Sequence, residues 1–105
     1  MQIELNEEAF KESLQVAPVV LLYFTSDFCG PCRMMSGLLE EISETSGEKL
    51  ALATIRGIDQ PSWMTAFNIQ STPTVLLFAK GQFVSRMTGA RPRSVVQRWI
   101  ETYTV

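Results

Sequence analysis

The chain has 105 residues, 46% of them hydrophobic, the size and apolar content of a single domain spanning 1–105. Its formal net charge of −2 supplies no basic field, so neither nucleic acid nor a membrane surface is expected as a partner. There is not one histidine, which removes the usual general base and every Cys-His or Ser-His nucleophile pair.

No stretch approaches transmembrane length, and the first residues carry no basic segment ahead of an apolar core. The expectation is a cytoplasmic chain without a leader. Ile3 to Leu5 reads as a short edge strand. Asn6 suits an N-cap, and Glu7 and Glu8 suit the positive end of a helix carrying Phe10 and Leu14 before Pro18 stops it. Val19 to Phe24 is an unbroken apolar run, the pattern of a central strand covered on both faces. A helix follows over about Pro31 to Ser43, with Met34, Met35, Leu38, Leu39 and Ile42 at helical spacing and Gly47 beyond its end.

Leu50 to Ile55 is the next strand. Asp59-Gln60-Pro61-Ser62 opens a short helix with Trp63, Met64 and Phe67, which Asn68 can close in the left-handed conformation. Thr74 to Phe78, a Lys80-Gly81 turn and Gln82 to Thr88 make a hairpin. Val95, Val96, Trp99, Ile100 and Tyr103 line one side of a terminal helix. Strands separated by helices imply parallel pairing, and the hairpin adds an antiparallel piece. The fold class is α/β, a mixed central sheet of about five strands flanked by four helices.

Both cysteines sit in one tetrapeptide, Cys29-Gly30-Pro31-Cys32. Two thiols three residues apart can close a disulfide when they occupy the first turn of a helix. Pro31 suits the helix start, because its φ is preset and its missing N–H has no partner there. A thiol at a strand-to-helix junction faces free helix N–H groups, which stabilise a thiolate. The motif therefore reads as a redox dithiol. A zinc site is the rival, but it needs two more ligands and could form only between two chains. No cofactor or metal is expected.

The chain resembles the thioredoxin family over nearly all its length. The resemblance rests on the strand leading into Phe28-Cys29-Gly30-Pro31-Cys32-Arg33-Met34, on Asp59-Gln60-Pro61, on Ser71-Thr72-Pro73-Thr74, on Lys80-Gly81, and on Thr88-Gly89-Ala90. It implies a thioredoxin fold and a thiol–disulfide oxidoreductase exchanging a Cys29–Cys32 dithiol with protein disulfides. Cys29 would attack, and Cys32 would resolve the mixed disulfide. Pro73 would be cis and lie against the cysteines, with Thr72 offering backbone groups to a partner. Phe28, Gly30, Pro31, Thr72, Pro73 and Gly89 would form the substrate platform. The bland reading of Gly89 is a backbone need in a loop.

The implied partners are protein disulfides and a thioredoxin reductase or other dithiol reductant, with the chain a monomer. The chain also departs from the family. Where a thioredoxin has a buried aspartate and its lysine, this chain has Tyr23 and Thr54. Thr25 and Phe28 replace tryptophans around the motif, and Gly37 replaces a mid-helix proline. The resemblance implies that this aspartate accepts the proton of the second cysteine, a role Tyr23 would not fill at neutral pH. These losses support an alternative, a thioredoxin-fold binding or assembly subunit with vestigial redox activity.

Overall fold

The run Val19–Thr25 forms strand β2, and its residues from Val19 to Phe24 are wholly buried. Burying each such side chain stabilises the fold by about 1.5–3 kcal/mol, so this strand anchors the molecule. The computed structural model describes residues 1–5 and 7–104. In chain order the elements are β1 (Gln2–Ile3), α1 (Phe10–Ser13), β2, α2 (Gly30–Ser46), β3 (Leu50–Arg56), α3 (Pro61–Ala66), β4 (Thr74–Ala79), β5 (Gln82–Thr88) and α4 (Arg93–Thr104). The strands lie side by side in the order β1-β3-β2-β4-β5. Among the described residues no helix is long and apolar enough to cross a membrane.

Strand β2 pairs in parallel with β3 and antiparallel with β4. The expectation that a helix between strands means parallel pairing therefore holds for β2 and β3 and fails for β4. The chain leaves β3 through α3 and re-enters on the far side of β2 running the other way, so β3 and β4 never touch as neighbours. The Lys80-Gly81 turn joins β4 to β5, with φ of 53° and 81°, the pair of left-handed residues that matches strand twist in a tight hairpin. A register shift between Leu77 and Phe78 places Phe83 opposite Phe78 and Ser85 opposite Leu77, leaving Val84 as the extra residue. That bulge is why the apolar alternation of β5 is imperfect.

Alternate residues of β2 feed two cores. Val19, Leu21 and Tyr23 meet Met35, Leu38, Leu39 and Ile42 of α2 and Val96 and Ile100 of α4. Val20, Leu22 and Phe24 meet Leu14, Trp63 and Ile69, with Phe10 and Phe67 packed against them. Two apolar residues read as inward face water instead: Met34 is 59% exposed and Val95 is 43% exposed. Each precedes a buried neighbour, Met35 and Val96, which takes the core position of that turn.

Several boundaries move. Strand β1 is Gln2–Ile3 and does not reach Leu5; ahead of it the Met1 amine donates to the carbonyl oxygens of Ser43 and Leu50 at 2.8 and 2.7 Å. Helix α1 is one turn that starts at Phe10; Glu7 and Glu8 precede it in a bend and turn. So short a helix has almost no dipole for them to meet, and it stands on the packing of Phe10 and Leu14. The N-cap role expected of Asn6 lies outside the described residues. Helix α2 opens at Gly30 rather than Pro31 and runs unbroken past Gly37. Asn68 closes the α3 segment at φ 54°, as its position after Phe67 suggests.

Candidate active site

The dithiol stands where β2 hands over to α2. Cys29 is the N-cap of α2 in extended conformation, and its Sγ accepts the backbone N–H of Cys32 at 3.2 Å. The next two residues, Gly30 and Pro31, open the helix, and Pro31 lacks an N–H that would have had no helical partner. The two Cα atoms are 5.2 Å apart and the sulfurs are bonded. Cys29 is half-buried, whereas Cys32 is 2% exposed. Only one sulfur of the pair is presented to a partner.

Pro73 follows Thr72 through a cis peptide bond. The Thr72 carbonyl oxygen lies 3.8 Å from Cys29 Sγ and the Thr72 hydroxyl 4.0 Å from it. The same hydroxyl is hydrogen-bonded to Ser26 Oγ at 2.7 Å, which ties the loop before Cys29 to the loop before β4. Gly89 donates its N–H to the Pro73 carbonyl at 2.8 Å, and its φ of 84° is one that glycine adopts without strain. The structure thus brings Cys29, Cys32, Thr72, Pro73 and Gly89 together. It also gives Gly89 the backbone reason that a loop glycine ordinarily has.

Phe28 is wholly exposed at φ 58°, with its ring covering nothing. The Asp27 carboxylate beside it accepts from Arg56 Nη2 at 2.5 Å, and Arg56 also reaches Asp59 at 3.2 Å. Those bonds raise the Arg56 pKa, the Asp27 hydrogen bond and charge most, then Asp59. Asp27 is therefore not a free negative charge next to Cys29. Gly57 N–H donates to the Thr25 carbonyl at 3.1 Å, which brings Ile58, 76% exposed, to the same end of the sheet.

Behind Cys32 sits Tyr23, wholly buried. Its hydroxyl lies 2.8 Å from the Cys32 carbonyl oxygen, 2.9 Å from Ser36 Oγ and 3.4 Å from Thr25 Oγ1. Across the β2–β3 register Tyr23 faces Thr54, which is exposed. A groove of about 670 Å³ runs beside the dithiol, from Phe28 past Cys29 and Cys32 to Ser36, Gly37 and Glu40. Thr25 lines it, and a Cβ placed on Gly37 would meet nothing within 4 Å. Ser26, Ser36, Arg56 and Ile58 were not among the expected site residues. Ser36 carried a signal, four residues from Cys32 on one helix face; Ser26, Arg56 and Ile58 join only through the tertiary fold.

A model of the thioredoxin family matches residues 1–102. The chain belongs to the thioredoxin family. It is 33% identical over 93 residues to a thioredoxin of Alicyclobacillus acidocaldarius, a match covering 89% of each chain. It is 32% identical over 100 residues to a thioredoxin of Listeria monocytogenes, covering 95% of this chain and 96% of that one. Among solved structures, a mutant thioredoxin from Halobacterium salinarum NRC-1 superposes over all of this chain and 90% of its own, with a TM-score of 0.85 at 27% identity. A thioredoxin of Malassezia sympodialis gives a TM-score of 0.84 at 28% identity, covering 100% of this chain and 91% of that one. The protein is a thiol–disulfide oxidoreductase of protein disulfides, exchanging the Cys29–Cys32 pair.

Proposed function

We propose that Cys29 is the attacking thiol and Cys32 the resolving one. The observation that carries this is their unequal placement: Cys29 caps α2 at the surface, and Cys32 lies inside the first turn. The Cys32 N–H that reaches Cys29 Sγ, with the helix N-terminus behind it, favours a thiolate at Cys29 over one at Cys32. The Cys29 thiolate attacks one sulfur of a partner's disulfide, and the partner's other sulfur leaves as a thiolate. Cys32 then loses its proton and attacks Cys29 Sγ, releasing the second partner thiol and closing Cys29–Cys32. The partner is reduced by two electrons and this chain is oxidised by two.

The partner would dock on Phe28, Gly30, Pro31, Thr72, Pro73 and Gly89, with the Thr72 carbonyl pairing its backbone. Ile58, exposed at the same end of the sheet, would widen the apolar part of that platform. A thioredoxin reductase or another dithiol would return the pair to the reduced state. We further propose that residues 1–105 act as one monomeric domain in the cytoplasm.

Trapping tests the assignment. Cys32→Ser should accumulate a mixed disulfide through Cys29, and Cys29→Ser should accumulate none. Equal trapping by both variants would overturn the order of attack. Undiminished function of Cys29→Ser in its host would favour the assembly-subunit alternative.

A further inference from the structure

The hydroxyls behind Cys32 have a forced direction. A carbonyl oxygen only accepts, so the 2.8 Å contact uses the single Tyr23 proton on the Cys32 carbonyl. The 2.9 Å contact with Ser36 must then run the other way, Ser36 donating to Tyr23. A serine inside a helix ordinarily returns its proton to the carbonyl four residues back, which for Ser36 is that of Cys32. Tyr23 has taken that place. Ser36 is left with its oxygen lone pairs as an acceptor in the wall of the groove that also touches Cys32. The groove is polar there and, at about 670 Å³, holds water easily.

We propose that Ser36, turned by Tyr23, seats the groove water that takes the proton of Cys32 when the mixed disulfide is resolved. This rests on the reading of Cys29 and Cys32 given above. A water donating to Ser36 Oγ keeps its own lone pair for the Cys32 S–H. The proton passes from sulfur to that water and on to bulk solvent. The sulfur electron pair forms the bond to Cys29 Sγ, and the partner leaves as a thiolate that regains a proton from solvent. Ser36 and Tyr23 are positioning residues in this scheme, and neither gains or loses a proton overall. The charged groups around the groove are Asp27, Arg33 and Glu40, with Arg56 of β3 paired to Asp27 at its rim.

Stopped-flow reaction of the reduced protein with an aromatic disulfide that releases a coloured thiolate separates the two steps, because each releases one equivalent. Ser36→Ala should slow the second release relative to the first by about tenfold or more. Ser36→Thr, which keeps the hydroxyl, should restore it to within a few-fold. Added imidazole, a small base that fits the groove, should accelerate Ser36→Ala more than the natural protein. Normal second release in Ser36→Ala, or equal slowing by Ser36→Ala and Ser36→Thr, overturns the proposal while leaving the dithiol reading intact. Failure of Cys32→Ser to release even the first equivalent overturns the dithiol reading and this proposal with it.

Discussion

The two faces of β2 hold different kinds of core. On the α1 and α3 side, rings meet rings: Phe10 lies 5.3 Å from Trp63 and 5.9 Å from Phe67, and Phe24 lies 5.9 Å from Phe67. On the α2 and α4 side Tyr23 is the one ring among the fully buried side chains, with Trp99 and Tyr103 packed at the margin, and its hydroxyl reaches up to the carbonyl of Cys32. Neighbouring residues of one strand therefore serve different ends. Phe24 adds buried area and nothing else, whereas Tyr23 adds buried area and fixes the backbone that carries a thiol. A strand covered on both faces can thus be mutated on one side for stability and on the other for chemistry.

The largest effects should come from emptying those two positions. Phe24→Ala should cost about 3–5 kcal/mol in a denaturant titration. Tyr23→Asp should cost at least as much, since it removes a ring and buries a carboxylate with no lysine at Thr54 to meet it. Yet the two variants should part in kinetics. Under conditions where both remain folded, Phe24→Ala should keep the natural ratio of the two exchange steps. Tyr23→Asp should change it, the new carboxylate supplying a base on the Cys32 side of the strand. If both variants keep the ratio, or both alter it, the division between the faces is wrong.

A smaller effect isolates the hydroxyl. Tyr23→Phe retains the ring and frees the Cys32 carbonyl, which Ser36 can then reach in the ordinary helical manner. The stability loss should be about 0.5–1.5 kcal/mol, the worth of one hydrogen bond. A loss as large as that of Phe24→Ala would mean that the hydroxyl organises the packing of α2 rather than one carbonyl.

Much of this contrast was legible before the fold was known. The run from Val19 to Phe24 announced a doubly covered strand, and Tyr23 stood out because the family resemblance implies a carboxylate at that place. The cysteine turn was legible for a local reason: its geometry depends on four consecutive residues and the helix they begin. The antiparallel placement of β4 was not, because pairing partners are set by crossovers rather than by apolar pattern. Nor was the use of Tyr23. Its partner Ser36 is thirteen positions away, and whether a phenol points at a carbonyl depends on how α2 seats on the sheet. Arg56 was silent for the same reason, since Asp27 is its partner only across two strands and a loop.

The smallest expected change in stability, and the most telling in sign, concerns an aromatic that belongs to neither core. Phe28 stands in solvent at φ 58°, in contrast to the buried rings around Phe10. Holding a side chain with a Cβ in that region costs about 1–2 kcal/mol. Phe28→Gly removes that cost and adds about 0.5–1 kcal/mol of unfolded-state entropy against the fold. The variant should therefore be equal to the natural protein in stability or slightly above it, as read by thermal or denaturant midpoint. Its exchange with a protein disulfide should nevertheless fall several-fold, while exchange with a small aromatic disulfide stays as it was. That combination marks a ring kept at a conformational cost for the sake of a partner. If Phe28→Gly is clearly destabilised, the ring has a packing role in the folded chain. If protein and small disulfides respond alike, the platform does not include it.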